Sequence, residues 1–251
     1  MEMRLDGKVA VITGGSRGIG KAIASTFAGA GASVMIVSRK QETLEEAAAE
    51  IGDDCHWIAA NVGDPDAAQS AIAETIERLG AVDVLVNNAA TNPYAGPMID
   101  VDLPRWEKTM QVNVTAPLVW TQHAWRAWMS DHGGAVVNIA SVAALKTSRL
   151  LGVYGVSKAA LVQQAKQLAV EMAPQVRVNT ILPGLIKTDF ARVLWEGERG
   201  NQVAESYPLK RLGETEDIAR AALYLASETS SWMTGQQIVL DGGGTIAFID
   251  E

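Results

Sequence analysis

Apolar residues fall along this chain in two alternating patterns. One is a short unbroken run of four or five; the other is a longer stretch in which they recur every three or four positions. The short runs are mostly β-branched and bounded by Gly, Asn or Asp, the signature of strands buried on both faces. They predict strands over 9–12, 34–37, 57–60, 82–86, 136–139, 177–181 and 237–240. The periodic stretches predict a helix from the first strand to about residue 28, then helices over 41–51, 65–79, 102–130, 154–172 and 216–226. Gly29 and Gly31 close the first of these, and Asp64-Pro65 opens the third, where proline is tolerated in the first turn. Residues 183–213 follow neither pattern and read as irregular. With strand and helix alternating and no repeat or linker, the expectation is one α/β domain over 1–251, its parallel sheet covered on both faces. In such sheets ligands bind beyond the carboxyl ends of the strands, where strand order reverses.

Composition narrows the function. Hydrophobic residues make up 48% of 251, enough for a sizeable core, and 29 acids against 21 bases leave a net charge of −8. No lysine- or arginine-rich run stands out, which argues against nucleic acid as a partner. Cys55 is the single cysteine, so an intramolecular disulfide is excluded and a buried, inert thiol is expected. No apolar run approaches a membrane span, MEMRLDGK lacks the apolar region of a secretory signal, and AFIDE is no peroxisomal-type tripeptide. A cytoplasmic protein is the expectation. His56, His123 and His132 lack metal-ligand spacing with acids or cysteine, so no metal site is expected.

The stretch VAVITGGSRGIG, residues 9–20, is a strand, a glycine turn and the start of a helix. That order aims the unpaired N–H groups and positive dipole end of a helix at a phosphate. Glycines at 14, 18 and 20 are read here as letting a pyrophosphate lie against the backbone. A dinucleotide-binding βαβ unit for NAD usually ends its second strand in Asp or Glu, yet this one ends in Ser38-Arg39-Lys40. Arg17 sits inside the glycine turn, and two guanidinium groups with a serine hydroxyl suit a 2′-phosphate. The expected cofactor is therefore NADP(H) in preference to NAD(H).

Tyr154 and Lys158, four apart at the start of a helix, share one face. A nearby ammonium favours tyrosinate and is expected to bring the phenol from about 10 toward neutrality, making Tyr154 a general acid for a ketone or a base for an alcohol. Ser141, just past the fifth strand, is placed to bond the same carbonyl oxygen.

Together these motifs resemble the short-chain dehydrogenase/reductase family over almost the whole chain. The family's TGxxxGxG reads Thr13-Gly14-Gly15-Ser16-Arg17-Gly18-Ile19-Gly20, its NNAG reads Asn87-Asn88-Ala89-Ala90, and its PGxIxT reads Pro183-Gly184-Leu185-Ile186-Lys187-Thr188. The resemblance implies a doubly wound, seven-stranded Rossmann sheet, usually in a homotetramer. It maps the catalytic tetrad onto Asn113, Ser141, Tyr154 and Lys158. Tyr154 is then the proton donor and Ser141 orients the carbonyl. Lys158 bonds the nicotinamide ribose and tunes Tyr154, while Asn113 holds a water in a proton relay to Lys158. Cofactor contacts are expected from Gly14, Ser16, Arg17, Gly18, Ile19, Gly20, Ser38, Arg39, Asn61, Val62, Asn88, Ala89, Ala90, Tyr154, Lys158, Pro183, Gly184, Ile186 and Thr188. Ala90 departs from the family's glycine, and Asn61-Val62 stands where Asp-Val is frequent beside the adenine.

Two branches compete for the substrate. LKRLGETEDIARAALYLAS and Met233-Thr234-Gly235 resemble 3-oxoacyl-[acyl-carrier-protein] reductases, whereas TNPYAGPMID and LPGLIKTDFARVLW resemble NADPH-dependent carbonyl and retinal reductases of animal peroxisomes. Carrier protein is acidic, but the family's LARE reads Leu168-Ala169-Val170-Glu171 here, and a basic cluster expected before the fifth strand reads Ser130-Asp131-His132-Gly133. Such a surface offers an acidic partner no steering attraction, which favours free or CoA-linked carbonyl substrates. Tyr94, Leu145, Leu151, Leu185, Phe190, Leu194 and Trp195 are the expected pocket walls, with a lid in 183–213. Trp120, Trp125 and Trp128 are expected in the core or at a subunit interface. A non-catalytic, NADP-sensing regulator would be expected to lose Tyr154 or Lys158, and an extended-family epimerase or dehydratase needs a larger C-terminal part.

Overall fold

The computed structural model describes residues 3–246, so the terminal AFIDE lies outside the described residues. Seven strands form one parallel sheet in the order β3-β2-β1-β4-β5-β6-β7: β1 (Val9–Thr13), β2 (Ser33–Ser38), β3 (Cys55–Ala59), β4 (Val84–Asn87), β5 (Gly134–Ile139), β6 (Val176–Pro183) and β7 (Gln237–Leu240). Every residue of β1 and β4 is buried, as strands covered on both faces require. The chain turns from β1 toward β2 and β3, then returns to place β4 on the other side. A crevice therefore opens between the ends of β1 and β4.

Helices α1 (Gly18–Gly29), α2 (Gln41–Ile51) and α10 (Thr215–Ala226) cover one face, where Ile23 and Phe27 meet Ile218 and Leu225. On the other face α3 (Pro65–Leu79), α5 (Ala116–Ala124) and α7 (Gly152–Glu171) bury Ile72, Trp120 and Ala165. Asp64 caps α3 by accepting from the Asp66 N–H at 3.0 Å, and Gly80 ends it with φ +85. Strand ends differ from the sequence reading by one or two residues because pairing sets them. Gly134 and Val176 extend β5 and β6 by facing each other across the ladder.

The stretch expected as one helix over 102–130 is interrupted twice. It runs as α4 (Leu103–Met110), a π turn (Gln111–Thr115), α5, a second π turn (Trp125–Met129) and α6 (Ser130–His132). Two local causes act at the first π turn. Pro117 has no N–H for the Asn113 carbonyl four residues before it, and its ring crowds that carbonyl. Gln164 of α7, its amide oriented to satisfy both groups, bridges the Val114 carbonyl at 3.2 Å and the Leu118 N–H at 3.1 Å. The stretch over 183–213 is likewise more regular than expected, holding α8 (Arg192–Trp195) and α9 (Glu198–Ser206).

Candidate active site

The glycine turn leaves β1 with the Gly14 N–H bonded to the Val37 carbonyl at 2.7 Å. Gly14 and Gly18 hold φ of +68 and +55, values that side-chain-bearing residues rarely adopt. At Gly20 an added Cβ would fall 2.3 Å from the Gly14 carbonyl oxygen and 2.5 Å from Asn88 Nδ2. The glycines are thus demanded first by the turn's own conformation and close internal fit. This corrects the expectation that they serve mainly to admit a phosphate. A Cβ on Gly18 would meet only Thr188, at 3.4 Å. Arg17 stands at the N-cap of α1 without capping through its side chain, and the first turn holds no acid. The N–H groups there keep their capacity for an anion, so the residues present fit a dinucleotide phosphate.

Ser16 donates to Ser38 across 3.1 Å, joining the turn to the end of β2. Arg17 and Arg39 are exposed, and neither guanidinium is bound to another described residue. Ile19 packs against the core beneath the turn. Asn61 directs Oδ1 to the Gly63 N–H at 3.2 Å, while the Val62 carbonyl accepts from Trp120 at 3.1 Å. Asn88 turns inward, its Nδ2 bonding the Thr13 and Gly14 carbonyls at 2.9 and 3.1 Å. Its main-chain N–H and that of Ala89 both reach Thr13 Oγ1, at 3.0 and 3.2 Å. Ala90 follows, partly exposed. Asn88 is therefore a clamp that fixes the turn. Pro183 ends β6, Gly184 lies so close to Asp241 that a Cβ would approach its Cα to 2.8 Å, and Ile186 is buried. The root of the 183–213 stretch thus lies against the glycine turn through Thr188.

Ser141, Tyr154 and Lys158 converge beyond β5. The Ser141 hydroxyl lies near enough to the Tyr154 phenol to act on it, and accepts from the Ala143 N–H at 3.1 Å. Lys158 is buried, donates to the Ile139 carbonyl at 2.8 Å, and lies 5.6 Å from the centre of the Tyr154 ring. Burial holds its amine down to about 7 and pushes the Tyr154 phenol up to about 12, with the Ser141 hydroxyl opposing the rise. This reverses the expected direction for Tyr154 in the chain by itself: loss of water around the phenolate outweighs the neighbouring amine.

Asn113 is fully buried in the first π turn. Its Oδ1 accepts from the Thr91 N–H at 2.8 Å, and its Nδ2 donates to the Thr91 carbonyl at 2.9 Å and to Ser157 at 3.0 Å. Its side chain is fully engaged. Ser157 and Thr91 went unnamed in the sequence reading. The YxxSK spacing held the first in plain view, but only the fold brings Asn113 to it.

Of the expected walls, Phe190 comes within 6.2 Å of the Tyr154 ring, centre to centre. Tyr94 is turned to its own loop, bonding the Pro97 carbonyl at 2.8 Å under the Arg105 guanidinium. Leu151 bridges to Gly96, and Leu145 is half exposed. The Leu185 N–H reaches the Tyr207 hydroxyl at 3.2 Å, Trp195 donates to the Thr188 carbonyl at 2.8 Å, and Leu194 is partly buried. Trp120 lies in the core. Trp125 and Trp128 pack at its margin, with Trp128 stacked on His132 at 3.8 Å. Among the described residues no cluster of His, Cys, Asp or Glu could hold a metal, and no helix is long and apolar enough to cross a membrane. Cys55 is buried, which pushes its thiol up to about 11.

Sheet order, glycine turn and the Ser-Tyr-Lys convergence define a Rossmann-fold oxidoreductase. Residues 14–245 match the family described as Enoyl-(Acyl carrier protein) reductase. Dehydrogenase/reductase SDR family member 4 of Homo sapiens is 39% identical over 249 residues, covering 95% of this chain and 88% of that protein. Short-chain dehydrogenase/reductase SDRA of Arabidopsis thaliana is 36% identical, covering 96% and 95%. A short-chain type dehydrogenase/reductase from Mycobacterium marinum has the same fold at a TM-score of 0.90 and 37% identity, covering 97% and 98%. So does a 7 alpha-hydroxysteroid dehydrogenase complexed with NADH and 7-oxo glycochenodeoxycholic acid, at 0.92 and 32%, covering 99% and 98%. The chain belongs to the short-chain dehydrogenase/reductase family, whose members use NAD(P)(H).

Proposed function

We propose that the chain is an NADP(H)-dependent carbonyl reductase in which Tyr154 protonates the oxygen of a ketone, aldehyde or 3-oxoacyl thioester. The observation that carries this reading is the convergence of Ser141, Tyr154 and Lys158 beyond β5, with the buried Lys158 amine 5.6 Å from the Tyr154 ring centre. A nicotinamide dinucleotide held at the glycine turn would supply the hydride that reduces the carbonyl carbon. Tyr154 gives its proton to the oxygen, and the Ser141 hydroxyl stabilises the charge that gathers there. Lys158 bonds the cofactor ribose and holds the next proton. Asn113 holds a water in the proton relay to Lys158.

The free guanidinium groups of Arg17 and Arg39, with Ser38 between them and no acid closing β2, support NADP(H) over NAD(H). Val170 is 77% exposed and Glu171 is exposed beside it, an apolar-acidic surface that supports free or CoA-linked substrates over an acidic carrier protein. The family description naming acyl carrier protein keeps a 3-oxoacyl-[acyl-carrier-protein] reductase as the second reading. Residues 184–213 act as the lid, and the working form is a cytoplasmic homotetramer.

The test is NADPH oxidation with acetoacetyl-CoA, acetoacetyl-carrier protein, an α-diketone, an aromatic ketone and retinal, for the wild type and Tyr154→Phe. Turnover of at least one carbonyl, with kcat lowered at least about 100-fold in Tyr154→Phe and NADPH binding retained, is the expected result. Equal turnover by the two proteins overturns the reading. Faster turnover of the carrier-protein thioester than of its CoA analogue selects the second.

A further inference from the structure

Between Tyr154 and Lys158 lies Ser157, fully buried. Its hydroxyl accepts from Asn113 Nδ2 at 3.0 Å and donates to the main-chain carbonyl of Tyr154 at 2.7 Å. Asn113 is in turn locked to both backbone groups of Thr91. An unbroken run of bonds therefore joins the loop after β4, the first π turn and the first turn of α7. Its direction is fixed. Both N–H groups of Asn113 are taken, so Ser157 Oγ receives one of them and gives its single hydrogen to Tyr154.

A hydroxyl that bonds back to a carbonyl within its own helix perturbs that turn locally. Here the carbonyl belongs to the residue whose phenol donates the proton. Residues 154, 157 and 158 lie on neighbouring faces of one turn, so whatever fixes Ser157 against the π turn also fixes the roll of that turn. We propose that Ser157 is a positioning residue. Through its bond from Asn113 and its bond to the Tyr154 carbonyl it sets the orientation of that turn of α7, and with it the aim of the Tyr154 hydroxyl. The phenol oxygen lies at the far end of a long rigid side chain, which magnifies a small roll of the backbone. Misplacement by about 1 Å costs about 100-fold in rate. This role rests on the reading of Tyr154 as proton donor.

The experiment compares the full-length wild type, Ser157→Ala, Ser157→Thr and Tyr154→Phe, using the carbonyl that the wild type turns over best. NADPH affinity is read from cofactor fluorescence, and kcat, KM and the pH profile of kcat from NADPH oxidation. Ser157→Ala is expected to bind NADPH within about twofold of the wild type while kcat falls about ten- to a hundredfold, KM stays within about threefold and the alkaline limb of the profile moves. Ser157→Thr, which keeps the hydroxyl, is expected to recover more kcat than Ser157→Ala. Loss of cofactor affinity in step with kcat would mark a structural serine only and overturn the proposal. So would Ser157→Ala with wild-type kcat beside an inactive Tyr154→Phe, which leaves the reading of the site standing. A fully active Tyr154→Phe would remove that reading and this proposal together.

Discussion

Lys158 donates to the Ile139 carbonyl over 2.8 Å from a wholly buried position. One neutral carbonyl offsets little of the water an ammonium loses, so burial lowers its pKa from 10.5 to about 7. Between those values the unfolded chain binds the proton and the folded chain does not. Stability must therefore rise with pH above 7. Urea unfolding of the wild type is expected to gain about 2 kcal/mol relative to Lys158→Met between pH 7 and pH 9. A difference between the two proteins that does not change with pH would contradict the buried amine.

Arg39 stands at the exit of β2, exposed and unpaired among the described residues. Replacing it with Asp puts an anion where a 2′-phosphate is proposed and a hydroxyl acceptor where a ribose would be. Arg39→Asp should raise KM for NADPH at least about tenfold and lower it for NADH, consistent with the loss of a charge-assisted bond and the gain of repulsion. Steady-state kinetics with both cofactors decides it.

Two glycines of α1 make opposite predictions. A Cβ on Gly20 collides with the Gly14 carbonyl and Asn88, whereas one on the exposed Gly29 meets nothing within 4 Å. Gly20→Ala is expected to cost about 1–3 kcal/mol and to weaken NADPH binding, since the turn must open to admit the methyl. Gly29→Ala is expected to stabilise by about 0.5–1 kcal/mol without touching affinity. Denaturation and fluorescence titration of the pair separate the two effects.

Arg177 of β6 ends under the C-terminus of α10. Its guanidinium donates to the carbonyls of Leu225, Ala226 and Ser227 at 2.8, 3.5 and 3.1 Å, and to Ser230 Oγ at 2.7 Å. Arg177→Ala removes the charged donor, although the Leu225 and Ser227 carbonyls keep bonds from Ser230 Oγ at 3.1 Å each, and should cost about 1–3 kcal/mol in unfolding, with NADPH affinity unchanged. Arg177→Lys should recover little, because an ammonium cannot fork across four acceptors.

Much of this could be read before folding. Strands announce themselves as apolar runs, and the residues after β1, β2, β5 and β6 are the ones that gather at the crevice. The π turns could not be read, because a period of 3.6 and a widened turn of the same residues give nearly the same pattern over five positions. The causes of the first are a proline four residues beyond Asn113 and an amide arriving from α7. Asn88 was legible as part of a motif but not as a clamp, since its partners at Thr13 and Gly14 are 75 and 74 positions away. The direction of the Tyr154 shift was misread for the same reason: spacing shows the amine nearby and says nothing of the water that folding removes.

The nearness of Thr188 to Gly18 has a temporal side. Thr188 opens the segment that carries Phe190 toward Tyr154, and it rests on the turn proposed to seat the dinucleotide phosphates. A dinucleotide in that seat and a closed segment would share one wall, so on the proposed function the cofactor would enter before the carbonyl compound and leave after the alcohol. Product inhibition would then be competitive between the two dinucleotide forms and mixed for every other pair.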